Sequence, residues 1–354
     1  MEFGVAFASS TESWRWAKRA EELGFTDAWF YDTQLLNPDV FICMALAAAN
    51  TDRIGLGTGV LIPGNRIAPV TANGLATLNR IAPGRIKFGV GSGFTGRRTM
   101  GLKAMKLADM EEYIRVVQSM LQGDTVEWQS ENGVRKIRFL NPDLGLINIE
   151  DSIPLHLSAF GEKSRKLTAK LGGGWLNFTG QVQDAIASIT DMQLSWQEAN
   201  RHRDDLHSTL FSLGCILDDG ESAGSDRARA QAGPLAAVFL HYLMESLPRG
   251  AARQMLPADL AARVENYRDI YENYEPADAR YLELHRGHLM FLRPEEESLV
   301  TADLIENLTF TGTREDLRDR IRSLAEAGYN QFTIQLVQGQ EDALEQWADL
   351  FETV

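Results

Sequence analysis

Residues 54–93 read IGLGTGVLIPGNRIAPVTANGLATLNRIAPGRIKFGVGSG. Ile54 to Val60 is a short, glycine-rich, β-prone run, and Pro63-Gly64-Asn65 breaks it. From Pro69 to Ile81, Val70, Leu75, Leu78 and Ile81 recur at helical spacing, and Pro83-Gly84 stops the helix. Ile86 to Val90 is a second strand, ending in Gly91-Ser92-Gly93. Strand, helix and strand within about forty residues make one βαβ crossover. Glycines gather at the carboxyl end of each strand, where a flat ligand can approach the backbone. In parallel α/β folds that edge of the sheet binds ligands.

The same alternation runs outward in both directions. Glu2–Ala8 reads as a strand, and Trp14, Ala17, Ala20 and Leu23 form a helical stripe that Gly24 ends. Asp27–Tyr31 is a strand and Pro38–Asn50 a helix. After the opening block, Leu107–Leu121 is helical; Asn132-Gly133 then marks a hairpin inserted within residues 123–148. Strands follow at Pro154–Ser158, Trp175–Phe178, Leu206–Leu217 and Gln331–Leu336, with helices between them, one of them at 221–247. Eight strands alternating with helices predict a (β/α)8 TIM barrel forming one domain over residues 1–354. A barrel needs ~250 residues. The excess falls in the hairpin and in an irregular, aromatic, charged insertion at 249–300, read as a lid. An open doubly wound sheet predicts a dinucleotide fingerprint, and Gly89-Val90-Gly91-Ser92-Gly93 lacks its spacing.

The net charge of −14, from 35 basic against 49 acidic residues, disfavours nucleic acid and anionic membrane surfaces as partners. Hydrophobic residues, at 44%, suffice for a large core. Cys43 and Cys215 lie in apolar runs and make neither a disulfide framework nor a zinc site, which fits a reducing cytoplasm. The N-terminus enters a strand with no signal peptide, and no uncharged stretch is long enough to span a bilayer.

Four segments resemble the luciferase-like flavin monooxygenase family: Ala20–Phe25, Ile54–Gly93, Pro154–Trp175, and Phe310–Thr313 running on to Tyr329. That family includes FMN-dependent monooxygenases and deazaflavin-dependent reductases, the methylenetetrahydromethanopterin reductases among them. The resemblance implies a cofactor at the carboxyl end of the barrel and a homodimer. It implies a cis peptide at Gly59–Val60 on which the ring rests, with Phe7, Ser92, Gly93, Ser158 and Ala159 around it. Phe160, Gly161, Lys163 and Ser164 open a helix whose N–H groups suit a cofactor phosphate; the alternative is a turn glycine and a solvated lysine.

Asp32 ends the second strand and reads either as a base at the mouth or as a turn aspartate. Deazaflavin members often carry Asp-His here, whereas this chain has Asp32-Thr33. His285 and His288 share a helical face; a metal would need further ligands, so a place beside the substrate is the expectation. Tyr267, Tyr271, Tyr274 and Tyr281 precede them and suggest an aromatic lid over the mouth. The resulting expectation is an oxidoreductase in which reduced FMN, from a separate flavin reductase, reacts with O2 and oxygenates a small organic substrate. The alternatives are a reductase using an 8-hydroxy-5-deazaflavin coenzyme without O2, and a barrel that binds flavin without catalysis.

Overall fold

The computed structural model describes residues 1–354. Its strands are β1 (Glu2–Phe7), β2 (Asp27–Phe30), β3 (Gly55–Thr58), β4 (Ile86–Val90), β5 (Val126–Ser130), β6 (Gly133–Ile137), β7 (Leu155–Ser158), β8 (Gly174–Phe178), β9 (Ser208–Ser212) and β10 (Gln331–Leu336). Eight close into a barrel in the order β1-β10-β9-β8-β7-β4-β3-β2, and β5 and β6 form the separate antiparallel hairpin. The fold is the expected (β/α)8 barrel.

Strand alternation divides each strand between two environments. Val5, Phe7, Phe30, Leu56, Phe88 and Val90 turn outward and join the main core beneath the helices. Ala6, Trp29, Leu176 and Phe211 turn inward and fill the barrel. The inward positions of β3 are glycines because the neighbouring strand needs the space. A Cβ on Gly57 would lie 2.3 Å from Trp29 Cε3, and one on Gly55 2.0 Å from Asp27 Oδ1. Both β3 glycines thus serve packing, and Gly59, one residue past the strand, reaches the rim. Below Trp29 the barrel floor is polar. Lys87 pairs with Asp27 at 2.6 Å, Gln331 Nε2 donates to Asp27 at 2.5 Å, and Trp29 Nε1 donates to Gln331 Oε1 at 3.2 Å.

The insertion is larger and more regular than its sequence pattern suggests. Helices at Asp226–Ser246, Ala252–Met255, Ala258–Glu272, Tyr281–Leu284 and Ala302–Leu308 surround a second core of Ala232, Ala236, Leu240, Val264, Tyr267, Val300 and Ile305. The helix expected at 221–247 is part of this layer. The helix expected within 304–328 is Arg314–Ala327, whose Leu317, Ile321 and Leu324 join the main core. No helix is long and apolar enough to cross a membrane.

Candidate functional site

The carboxyl ends of β3, β4 and β7 build one wall of the barrel mouth. The Gly59–Val60 peptide is cis, as expected from the sequence. A Cβ on Gly91 would lie 2.8 Å from Val60 Cγ2 and 3.4 Å from Ser158 Cβ, so these residues share one surface. Gly59, Val60, Ser92 and Ser158 are half-buried, as rim residues facing a cleft should be. A Cβ on Gly59 would lie 3.0 Å from Trp29 Cβ, so Gly59 and Gly91 both let neighbouring side chains pack closely beneath the rim. The half-buried rim of Gly59, Val60, Ser92 and Ser158 carries no bulky polar side chain, and it fits one face of a flat ring.

Other expected ring contacts lie elsewhere. Phe7 points outward into the helix layer, 5.9 Å from the Phe30 ring, because odd positions of β1 face away from the lumen. Ala159 is buried, its carbonyl accepting from Trp175 Nε1 at 2.7 Å. Gly93 adopts φ 74°, and its missing Cβ leaves room for Ile62 Cγ2 at 2.5 Å and the Arg97 stem at 2.9 Å. Its glycine is needed for the turn and for packing, not for a ligand.

Asp32 is on the same rim as Ser92, but its carboxylate is already engaged. Oδ2 accepts the Ile62 N–H at 3.0 Å and Asn65 Nδ2 at 3.3 Å, and Oδ1 accepts Arg66 Nη1 at 2.8 Å. Arg66 also pairs with Asp39. Asp32 is 4% exposed and pins the loop that follows Val60. The turn reading of this aspartate therefore describes the structure better than the base reading.

The helix Glu162–Leu171 starts at the rim below Phe160, which is exposed. The Ser164 hydroxyl closes back on Gly161, accepting its N–H at 3.1 Å and donating to its carbonyl at 2.8 Å, so Ser164 caps the helix. The N–H groups of Glu162 and Lys163 have no partner inside the chain, and Lys163 is exposed without an ion pair. These donors fit an anionic group.

The mouth is covered, but not by the tyrosines. Leu235 of the helix Asp226–Ser246 and Leu289 pack with Leu213 and Val337 over Tyr31 and Phe178. Tyr267 is instead the buried centre of the insertion. With His241 (2.6 Å) and Arg293 (2.5 Å) its hydroxyl (3.1 Å) surrounds Glu296 Oε1. Burial raises the Glu296 carboxyl, but His241 and Arg293 outweigh it and hold it at about 2. Arg98 pairs with Glu245, joining the loop after β4 to the covering helix. His285 Nε2 lies 4.0 Å from Glu245, and the His285 and His288 rings are 6.5 Å apart. Burial, then neighbouring His241 and Arg98, depress His285 to about 4. Burial, then His285 and His241, depress His288 to about 3. No group of three or more His, Cys, Asp or Glu is placed to hold a metal ion.

Sequence reasoning passed over Tyr31 and Gln335. Both are inward positions of strands or strand ends, and their alternation with the outward Phe30 and Leu336 was the available signal.

The luciferase-like monooxygenase family profile matches residues 7–331. The 5,10-methylenetetrahydromethanopterin reductase of Archaeoglobus fulgidus is 25% identical over 337 residues, 94% of this chain and 92% of that protein. An F420-dependent glucose-6-phosphate dehydrogenase of Beutenbergia cavernae is 29% identical over 195 residues, 53% of this chain and 54% of that protein. The solved coenzyme F420-dependent tetrahydromethanopterin reductase of Methanopyrus kandleri has the same fold, with a TM-score of 0.70 at 21% identity, covering 98% of this chain and 97% of that one. A barrel closed in this order, with a cis peptide ending β3 and a profile match over nearly its whole length, belongs to the luciferase-like monooxygenase family.

Proposed function

We propose that this chain is a deazaflavin-dependent oxidoreductase that moves a hydride between an 8-hydroxy-5-deazaflavin of the coenzyme F420 type and a small organic substrate. The observation that carries the choice of cofactor is the full-length similarity to a methylenetetrahydromethanopterin reductase, supported by the F420-dependent names of the other relatives. FMN with O2, the first expectation from sequence, becomes the second reading, and the separate flavin reductase belongs to that reading alone.

Gly59, Val60, Gly91 and Ser158 would hold the ring from one face, and Ser92 would border it. The free N–H groups of Glu162 and Lys163, with the Lys163 ammonium, would take the anionic tail. When bound, the deazaflavin supplies two-electron hydride chemistry. The chain's own part is to orient the ring and to exclude water with Leu235 and Leu289. Asp32 holds the loop behind the ring rather than a proton.

A homodimer is the proposed assembly. Ile42 and Leu46 on the helix Val40–Asn50, with Ile67, Val70 and Ile81 along the next helix, form an exposed apolar stripe. Light scattering of the chain and of Ile42→Glu/Val70→Glu tests this: the parent should scatter as a dimer and the variant as a monomer.

Titrating the protein separately with oxidised deazaflavin and FMN tests the cofactor. Deazaflavin should bind at least about tenfold more tightly, a difference of ~1.4 kcal/mol. Tighter FMN binding would return the monooxygenase reading to first place.

A further inference from the structure

The packed cluster over the barrel mouth, the candidate substrate chamber, has a composition that selects its guest. Tyr31, Phe178, Leu213, Leu235, Leu289 and Val337 pack there, all apolar apart from one phenol. Three of the cations around the mouth are ion-paired. Arg66 is held by Asp32 and Asp39, Arg98 by Glu245, and Arg293 by Glu296. Arg97 lies against Gly64 and Gly93 and donates to the Lys103 carbonyl at 2.7 Å. His285 and His288 are buried and neutral near pH 7. Arg229, which borders Leu292 and Val337, makes no ion pair, and Lys163 is free at the rim; it is the apolar lining that disfavours a phosphate or carboxylate among these side chains.

Two polar groups in the chamber are unpartnered. Gln335 is 1% exposed; its Nε2 donates to the Leu289 carbonyl at 3.1 Å, while its Oε1 has no partner. Buried acceptors of this kind are rarely left unsatisfied without a reason. Tyr31, two strands away across β1, feels burial and no hydrogen bond or charge, and its phenol is pushed up accordingly. It stays protonated and can donate. One donor and one acceptor at the edge of this apolar cluster match a single hydroxyl group, which can accept from Tyr31 and donate to Gln335 Oε1, as a carbonyl oxygen cannot. Leu289 carries φ 58°, a left-handed conformation uncommon for a non-glycine residue, and it fills the space between them and the insertion.

Building on the deazaflavin reading, we propose that the substrate is an uncharged, mainly apolar alcohol. Its oxygen is recognised by Gln335 Oε1 and the Tyr31 hydroxyl, and its hydrocarbon part takes the place of the Leu289 side chain. The chemistry that defines this substrate is one neutral oxygen function on a hydrocarbon frame. Sugar phosphates and polycarboxylates fit this apolar lining poorly.

The test uses the full chain, with and without oxidised deazaflavin, and three probes: cyclohexanol, cyclohexanone and glucose 6-phosphate. Binding is read by calorimetry and by saturation-transfer NMR. Cyclohexanol should bind, cyclohexanone more weakly because it cannot donate to Gln335 Oε1, and glucose 6-phosphate should not. Gln335→Leu and Tyr31→Phe should each weaken the neutral probe about tenfold, the scale of one buried hydrogen bond, while leaving the deazaflavin affinity within about twofold. Leu289→Ala should tighten it. Tyr31→Phe removes only a hydroxyl, so it remains informative if Gln335→Leu fails to fold. Tight binding of glucose 6-phosphate, or neutral-probe affinity unchanged in both Tyr31→Phe and Gln335→Leu, would overturn the proposal. If the neutral probe binds in a Gln335-dependent way but deazaflavin does not bind, the cofactor reading fails and the chamber assignment stands.

Discussion

Asp32→Asn separates a structural role from a catalytic one at the residue that sequence alone left open. The substitution keeps one acceptor oxygen for the Ile62 N–H but removes the charge opposite Arg66. The pair is secluded, with 3% of the Asp32 side chain and 15% of the Arg66 side chain exposed. Breaking such a pair costs ~3–5 kcal/mol when one charge is stranded. Arg66 retains Asp39, so the lower end, ~3 kcal/mol, is expected. With 354 residues and an unfolding entropy of about 2.1 cal/mol/K per residue, the entropy is about 0.7 kcal/mol/K and the midpoint falls ~4 °C. Ile62 lies two residues beyond Val60, so loosening this loop should also weaken deazaflavin binding. Thermal and urea unfolding measure the first effect, and fluorescence titration the second. A residue acting as general base would behave oppositely, with turnover reduced at least about a hundredfold and stability kept. Parental melting and parental cofactor affinity combined with lost turnover in Asp32→Asn would refute the clamp.

Gly91→Ala places a methyl 2.8 Å from Val60 Cγ2 in the middle of the ring wall. It should weaken deazaflavin binding about tenfold or more in direct titration, and unchanged affinity would move the ring elsewhere. Glu21 accepts the N–H groups of Asp52 (3.0 Å), Arg53 (2.5 Å) and Ile54 (2.7 Å) at the entrance to β3. Burial raises its carboxyl, but these donors outweigh burial and hold it below its ordinary 4.5. Its stabilising effect is therefore present above pH 4.5 and lost as pH falls through the folded value. Glu21→Gln should accordingly be less stable than the parent at pH 7, with the gap closing towards pH 3 in urea titrations. His285 is depressed from 6.5 to about 4 by burial, so the covered state binds fewer protons than an open one. Cover stability should fall as pH drops from 6.5 towards 4, and hydrogen exchange at residues 285–292 should be faster at pH 5 than at pH 7.5 after correction for intrinsic rates. Equal protection at both values would show that His285 does not hold the cover closed.

The alternation of strands and helices was legible from periodicity, because it is a local property that each segment carries alone. Gln331–Leu336 and the Asn132-Gly133 hairpin stand where the sequence puts them. The cis peptide at Gly59–Val60 was legible through family resemblance rather than through local propensity. The direction of side chains at the strand ends was less legible, since a one-residue change of register turns a residue from the lumen to the helix layer. Phe7 was therefore expected at the ring and lies behind it, while Tyr31 and Gln335, which do face the mouth, went unremarked. The partners of Asp32 are 30 and 34 residues away in the chain, and no pattern around Asp32 announces them. The tyrosine-rich stretch shows the same limit. Its composition suits a lid as well as a core, and only packing against the helix Asp226–Ser246 makes Tyr267 a core residue and leaves the mouth to Leu235 and Leu289. By itself the sequence determined the elements, their order and the edge of the barrel where ligands belong. Which side chains meet there was decided by tertiary contacts between segments distant in the chain, because burial and pairing exist only once those segments are brought together.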